Sequence, residues 1–309
     1  MKQSKNHKTG FMSNPVDKLL CILLLPILPG AVYAQSLEDL NRLEGHRTKT
    51  YYSDGSIEQA KNMAARCDNV NSFYRSLIDF EPDVTLLILS PEDWSKYTNF
   101  PVYGMPHYDD KKTLIVASAD NDFWNSFIPD FDQLPGQLAQ LITKTYTGGN
   151  GTLTMRGFFD LLAIHELGHA FHQQGGLTMQ RLWMGELFAN ILLHTYIAEQ
   201  EPGLLPVLTV FPEMVVSSTS RKELKYTTLT ALESNYEMIG RQYPNNYGWY
   251  QCRWHMAAAN IYDEGGVQAF GNLWKTLKNE KTQLDDPAFA KLLLGIHHAV
   301  ADVQLKWGE

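Results

Sequence analysis

The sequence predicts an α+β fold that is mainly helical, with a small amino-terminal β-containing lobe set against a helical carboxy-terminal lobe. Apolar residues recur at helical spacing through 182–200, 220–240, 249–263, 266–278 and 287–304. Against this stands Val84-Thr85-Leu86-Leu87-Ile88-Leu89, whose density of β-branched and apolar residues reads as a buried strand. A second short β-prone run, Thr113-Leu114-Ile115-Val116-Ala117-Ser118, is bounded by polar residues. The boundary between the lobes is expected near residue 175, giving units 35–175 and 176–309.

In chain order, Lys2, Lys5, Lys8 and Lys18 precede an apolar run from Leu19 to Ala34 that ends in Val32-Tyr33-Ala34, a small-x-Ala cleavage pattern. Residues 1–34 therefore read as a secretory signal peptide, and the mature chain is expected to be secreted or periplasmic. A membrane anchor is the competing reading; Pro26, Pro29 and Gly30 interrupt a run already shorter than the about 20 residues a span needs. Cys21 is a poor lipidation site, because the apolar run follows it. The removed segment carries four lysines and one aspartate against a whole-chain charge of −8, so the mature charge becomes about −11. Such a chain is not expected to bind nucleic acid or to contain a membrane span. The 275 residues left are enough to bury a core in one large domain or two lobes. They hold Cys67 and Cys252, which an oxidising compartment permits to pair or which stay as two buried thiols.

Ser36 to Ile78 reads as helical with an interruption around Gly55, and Pro91-Glu92-Asp93-Trp94 opens a helix with proline in its first turn. Residues 122–147 are mixed and helical near their end, and Gly148-Gly149-Asn150-Gly151 is a loop. Beyond Gln200, breaks are expected at Pro202, Pro206, Pro212 and Pro244, and Gly265-Gly266 separates two helical segments.

The chemistry is concentrated in His165-Glu166-Leu167-Gly168-His169. On a helix the two histidines stack on one face, where they can share a tetrahedral metal, and Glu166 points to the adjacent side, where it can handle a proton. Phe158, Leu161, Leu162, His165, His169 and His172 recur at helical spacing while Phe159, Ala163, Leu167 and Ala170 cover the other sides, so this helix is buried nearly all round. Imidazoles and a carboxylate in such surroundings need partners or a metal. A catalytic zinc takes three protein ligands and keeps one position open. His172 lies one further turn along and would have to reach back past His169. Glu186 is the stronger third ligand: after the turn at Gly175-Gly176 it shares a stripe with Leu182, Ala189, Asn190, Leu193 and Ile197, and a lone carboxylate there needs a partner. Asn190, one turn on, can accept the free ring N–H of a ligating histidine or simply bond to backbone. His194, His297 and His298 read as structural or exposed histidines.

His165-Glu166-x-x-His169, the seventeen residues to Glu186, and Asn190 four further on resemble the thermolysin-like gluzincin metallopeptidases, and Trp183-x-x-Glu186-x-x-Ala189-Asn190 is similar to the glutamate helix of their aminopeptidase branch. The resemblance spans roughly residues 83–280 in organisation and is specific at the two helices. It implies a thermolysin-like catalytic domain, a single zinc ion held by His165, His169 and Glu186, Glu166 as general base, and a peptide or protein substrate. It also implies a substrate-binding edge strand, which Tyr103-Gly104-Met105 and the run Thr113–Ser118 could supply, although that run reads equally as a core strand. A downstream oxyanion-stabilising Tyr or His is implied too: Tyr250 stands fifteen residues before Gly265-Gly266, in the family's register, with Tyr247 and His255 as substitutes. The family's Gly three residues after that Tyr is Arg253 here, and the Gly-x-Met-Glu-Asn exopeptidase pattern is replaced by Gly104-Met105-Pro106-His107, which leaves endo- against exo-action open. Two other functions stay in view: a secreted zinc-containing binding protein without hydrolytic activity, and a metallohydrolase of non-peptide amides or cell-wall peptide.

Overall fold

A computed structural model describes residues 36–308. The expected signal peptide lies outside these residues. The architecture is α+β and mainly helical, with one small mixed sheet formed in the amino-terminal part. Strands β1 (Asn41–Leu43) and β2 (Lys49–Tyr52) precede helix α1 (Ile57–Ile78). The helix expected across Ser36–Ile78 is thus corrected in its first half. Pairing with a neighbouring strand overrides local propensity there, and Asp68 on α1 secures the entry to β2 by accepting the backbone N–H and hydroxyl of Thr48.

The dense apolar run forms β3 (Thr85–Leu89), followed by α2 (Pro91–Tyr97), which starts with Pro91 in its first turn behind the capping hydroxyl of Ser90. Next come β4 (His107–Tyr108) and β5 (Thr113–Ala117). The strand order is β1-β2-β3-β5-β4, parallel for β2/β3 and β3/β5 and antiparallel at both outer pairs. The run expected as a candidate edge is therefore the interior strand β5, with Leu114, Ile115, Val116 and Ala117 all buried; the edge is the two-residue β4. Continuous apolarity of β3 and β5 follows from burial on both faces of a parallel pair.

Helices α3 (Asp122–Asn125) and α4 (Gly136–Tyr146) lead to a turn at 148–151 that a bridge between Thr147 and Leu153 closes, and then to α5 (Arg156–Gln174). Helix α5 ends on two backbone bonds, Gly176 N–H to Gln173 O and Leu177 N–H to His172 O, with Gly176 at φ +67°, a left-handed cap that glycine adopts without a side-chain penalty. The chain then turns into α6 (Leu182–Gln200), which is buried along nearly its whole length. Helix α7 (Leu205–Ser218) carries Pro206 in its first turn and Pro212 inside it, so the break expected at Pro212 does not occur. Leu208, Phe211 and Val215 keep that helix packed in the core on either side of the proline. Helices α8 (Leu229–Gln242), α9 (Pro244–Asn279, kinked at Gly266), α10 (Asp286–Ile296) and α11 (His298–Leu305) complete the chain.

One apolar cluster joins α1, the inner face of β3 and β5, α5, α6 and α9–α11, so residues on both sides of position 175 share a core. Tyr74 of α1 shows the continuity: its hydroxyl donates to Leu192 O of α6 at 2.5 Å and its ring meets Phe171 and Phe270. Each fully buried side chain of this size contributes about 1.5–3 kcal/mol. Cys67 and Cys252 are both buried free thiols in separate apolar clusters. Among the described residues no helix is long and apolar enough to cross a membrane.

Candidate metal centre

Helices α5 and α6 cross at Gly168 and Ala189. A Cβ on Gly168 would stand 2.9 Å from the Cα of Ala189, closer than real contacts allow. The absence of a side chain at 168 lets the two helices approach until a carboxylate on α6 reaches the imidazoles of α5. Gly168→Ala is expected to push the helices apart and destabilise the protein by about 1–3 kcal/mol, as overpacking of a rigid contact does. A melting temperature equal to that of the wild type would show that the crossing is not this tight.

At the crossing, Nε2 of His165 and Nε2 of His169 are 3.2 Å apart, and Oε2 of Glu186 lies 3.3 Å from the first and 3.8 Å from the second. Tetrahedral ligation at metal–ligand distances of about 2.1 Å separates ligand atoms by about 3.4 Å, so this triangle is of a size that could hold a metal ion. His165, Glu166 and His169 also form a compact group, with one ligand atom from each within 4.8 Å of the others, that could hold a metal ion. Two carboxylates thus compete for the third position. The ion-pair distances favour Glu186, because one of its oxygens approaches both ring nitrogens, whereas Oε2 of Glu166 accepts the backbone N–H of Tyr108 at 3.1 Å.

The donor set is supported from behind. Tyr236 donates its hydroxyl to Oε1 of Glu186 at 2.6 Å, and Gln251 donates its Nε2–H to Oε2 at 2.8 Å. Gln251 also donates to the Tyr247 hydroxyl, which stands 3.1 Å from that of Tyr236. Nδ1 of His165 and Oδ1 of Asn190 are both buried without a hydrogen-bond partner, yet Asn190 is close enough to favour protonated His165. That orphaned pair fits the expected arrangement, in which Asn190 accepts the ring N–H of a metal-ligating histidine. Asn190 is meanwhile anchored by donating its Nδ2–H to Glu186 O at 3.0 Å.

Electrostatics divide the two carboxylates. Burial alone would raise Glu186, but His169, His165 and Gln251 hold its carboxyl well below the usual carboxylate range. Glu166 is pushed up to about 7, chiefly by burial and then by the charge on Glu186, with His165 and Tyr108 opposing. His165 is held up by Glu186 and Glu166 despite its burial, whereas burial pushes His169 and His172 down. A buried carboxylate anion among imidazoles requires a compensating cation, either a proton or a metal.

Tyr250 is not brought into this group. Its hydroxyl donates to Thr228 O at 2.8 Å and its ring stacks on Trp307 and Trp254, so the expectation for this residue is corrected by an aromatic core that claims its flank of α9. Tyr247 and Gln251, four residues apart on the same helix, face the site instead. His255 is buried against Phe158 and near the His165 ring. Tyr236, Gln251 and Tyr108 escaped the sequence reading; only Tyr247-x-x-x-Gln251 carried a helical-spacing signal. Tyr236 comes from the irregular α8, just after a break at Asn235, where periodicity is uninformative.

The remaining histidines play other parts. His297 caps α11 and His298 pairs with Glu264 at 3.3 Å. His194 is buried, and burial pushes its pKa down from 6.5 against a smaller opposite effect of Asp263. A depressed folded-state pKa means that protonation favours the unfolded chain, so its contribution to stability is complete above about pH 6.5 and is lost as pH falls toward the folded value. The loss of melting temperature between pH 7.5 and 5.5 is expected to be smaller in His194→Gln than in the wild type; equal losses would contradict this.

Comparison with family models, with curated proteins and with solved structures found no match to this chain.

Proposed function

We propose that the chain is a secreted zinc-dependent metallopeptidase of the thermolysin-like gluzincin kind, with His165, His169 and Glu186 holding the metal and Glu166 as general base. The observation that carries this reading is the triangle of two imidazole nitrogens and one carboxylate oxygen, 3.2–3.8 Å on a side, contributed by two neighbouring helices with a second carboxylate beside it. What zinc supplies when bound is Lewis acidity toward water and a carbonyl group.

The chain's own groups supply the rest. Glu166, raised toward neutrality by burial and by the charge on Glu186, is suited to take a proton from water and deliver it to a leaving amine at Oε1 or Oε2. The Tyr108 N–H keeps that carboxylate oriented. Tyr236 and Gln251 orient Glu186 through both of its oxygens. A structural zinc site has no need of a second carboxylate at hand, which favours hydrolysis over a binding role. The peptide assignment draws on the family resemblance and on β4, a sheet edge beside Glu166 where an extended chain can add backbone hydrogen bonds.

Metal analysis of the purified protein, followed by cleavage of an unbiased peptide library with mass-spectrometric location of each cut, tests the proposal. Cuts that a chelator abolishes and zinc restores are expected. No cuts by metal-replete protein would favour the non-hydrolytic binding protein, and cuts only at the first residue would favour the aminopeptidase branch.

A further inference from the structure

A third histidine on the site-facing side of α5 belongs neither to the ligand triangle nor to the acid–base chemistry. Nε2 of His172 lies 3.0 Å from Nδ1 of His169, with the two rings at 80°. The ring nitrogens of His169 are thereby divided: Nε2 faces His165 and Glu186, and Nδ1 faces His172. We infer that His172 is a positioning residue, which accepts the Nδ1–H of His169 and so fixes the tautomer and ring plane in which Nε2 is offered to a metal. The inference rests on the metal centre proposed above.

A neutral imidazole carries one proton, so a histidine that binds a cation through Nε2 must carry that proton on Nδ1, and the N–H then needs an acceptor. A carboxylate or carbonyl oxygen commonly fills that place; here it is an imidazole nitrogen. The His172 ring is itself held. Phe188 meets it edge-on at 5.9 Å, and α6 passes so close that a Cβ on Gly185 would stand 3.7 Å from its Nε2. Its backbone carbonyl accepts the Leu177 N–H in the turn that ends α5, which anchors the residue at the helix end. The same geometry argues against His172 as a fourth protein ligand, because its Nε2 is aimed at the far nitrogen of His169 rather than at the point where His165 and Glu186 converge. The two imidazole ligands then differ in support: His165 looks to the amide of Asn190, His169 to a second imidazole.

The test uses the full chain with Co²⁺ as the probe, reading affinity by competition with a chromophoric chelator and geometry by the visible absorption bands. His172→Phe is expected to bind Co²⁺ about 10–100-fold more weakly, with altered bands, because the His169 ring loses its acceptor. His172→Gln, whose amide oxygen can accept the same N–H, is expected to recover affinity to within several-fold. Wild-type affinity and bands in His172→Phe would overturn the role. Equal loss of stoichiometric binding in the Phe and Gln variants would make His172 a ligand and overturn it as well. Should the Phe variant show no cooperative melting, the Gln variant decides alone: binding weakened tenfold or more overturns the role. A wild-type chain that takes up no Co²⁺ is a separate result, seen before any substitution, and sinks the metal centre together with the role of His172.

Discussion

Glu166→Gln is expected to lower the rate of peptide hydrolysis by about a hundredfold to ten-thousandfold, the usual worth of a positioned general base, while leaving the metal content unchanged. The substitution preserves shape and keeps an amide oxygen for the Tyr108 N–H, so the local fold should persist. What it removes is the ability to take up a proton near neutral pH, which burial and then the neighbouring charge of Glu186 confer on the carboxyl by pushing it up to about 7. The measurement is kcat/KM on a peptide chosen from the library screen, with metal content determined on the same sample. Full activity with metal bound would remove Glu166 from the mechanism, and loss of the metal would instead make it a ligand.

The complementary change, Glu186→Gln, is expected to weaken metal binding by more than the 10–100-fold typical of losing a residue that merely supports a ligand. It removes the one anionic donor of the triangle, and it turns an amide NH₂ or a neutral oxygen toward groups now satisfied by a carboxylate: the Tyr236 hydroxyl, the Gln251 amide and the two imidazoles. An amide has one accepting oxygen where the carboxylate has two, so Tyr236 and Gln251 can no longer both donate to residue 186 at separate oxygens. Chelator competition measures the loss, and circular dichroism of the metal-free variant separates it from misfolding. Undiminished binding would hand the third position to Glu166, which also lies within reach of His165 and His169. Together the two variants assign the carboxylates, because each reading predicts the opposite pairing of lost metal and lost rate.

How legible these features are depends on how local the forces behind them are. The strand at 85–89, the proline-led helix at 91–97, the glycine turn at 175–176 and the amphipathic or buried helices α5 and α6 are written in side-chain periodicity and backbone restriction, which act within a few residues. The pairing of His165 with His169 is a consequence of helix geometry, and Glu186 followed from a stripe that needed a partner. The first half of 36–78 reads as helix in the sequence because β2 is held by β3, which lies beyond α1 in the chain, and β1 by β2 in turn, and short strands carry little signal of their own. The choice between an edge and an interior strand for 113–117 likewise depends on the sheet order.

That two imidazoles and a carboxylate share one buried helix, and that a second apolar helix carries another carboxylate, is legible from residue spacing alone, because the 3.6-residue period converts spacing into a face. Which hydroxyl meets that carboxylate depends instead on contacts between helices far apart in the chain. Tyr250 turns to Thr228 and Trp307, whereas Tyr236 turns to Glu186 and Tyr247 to Tyr236 and Gln251, because the rotation of α9 and the path of α8 answer to packing across the whole core. The same holds for the helix crossing at Gly168, where a missing side chain has meaning only once Ala189 lies opposite it.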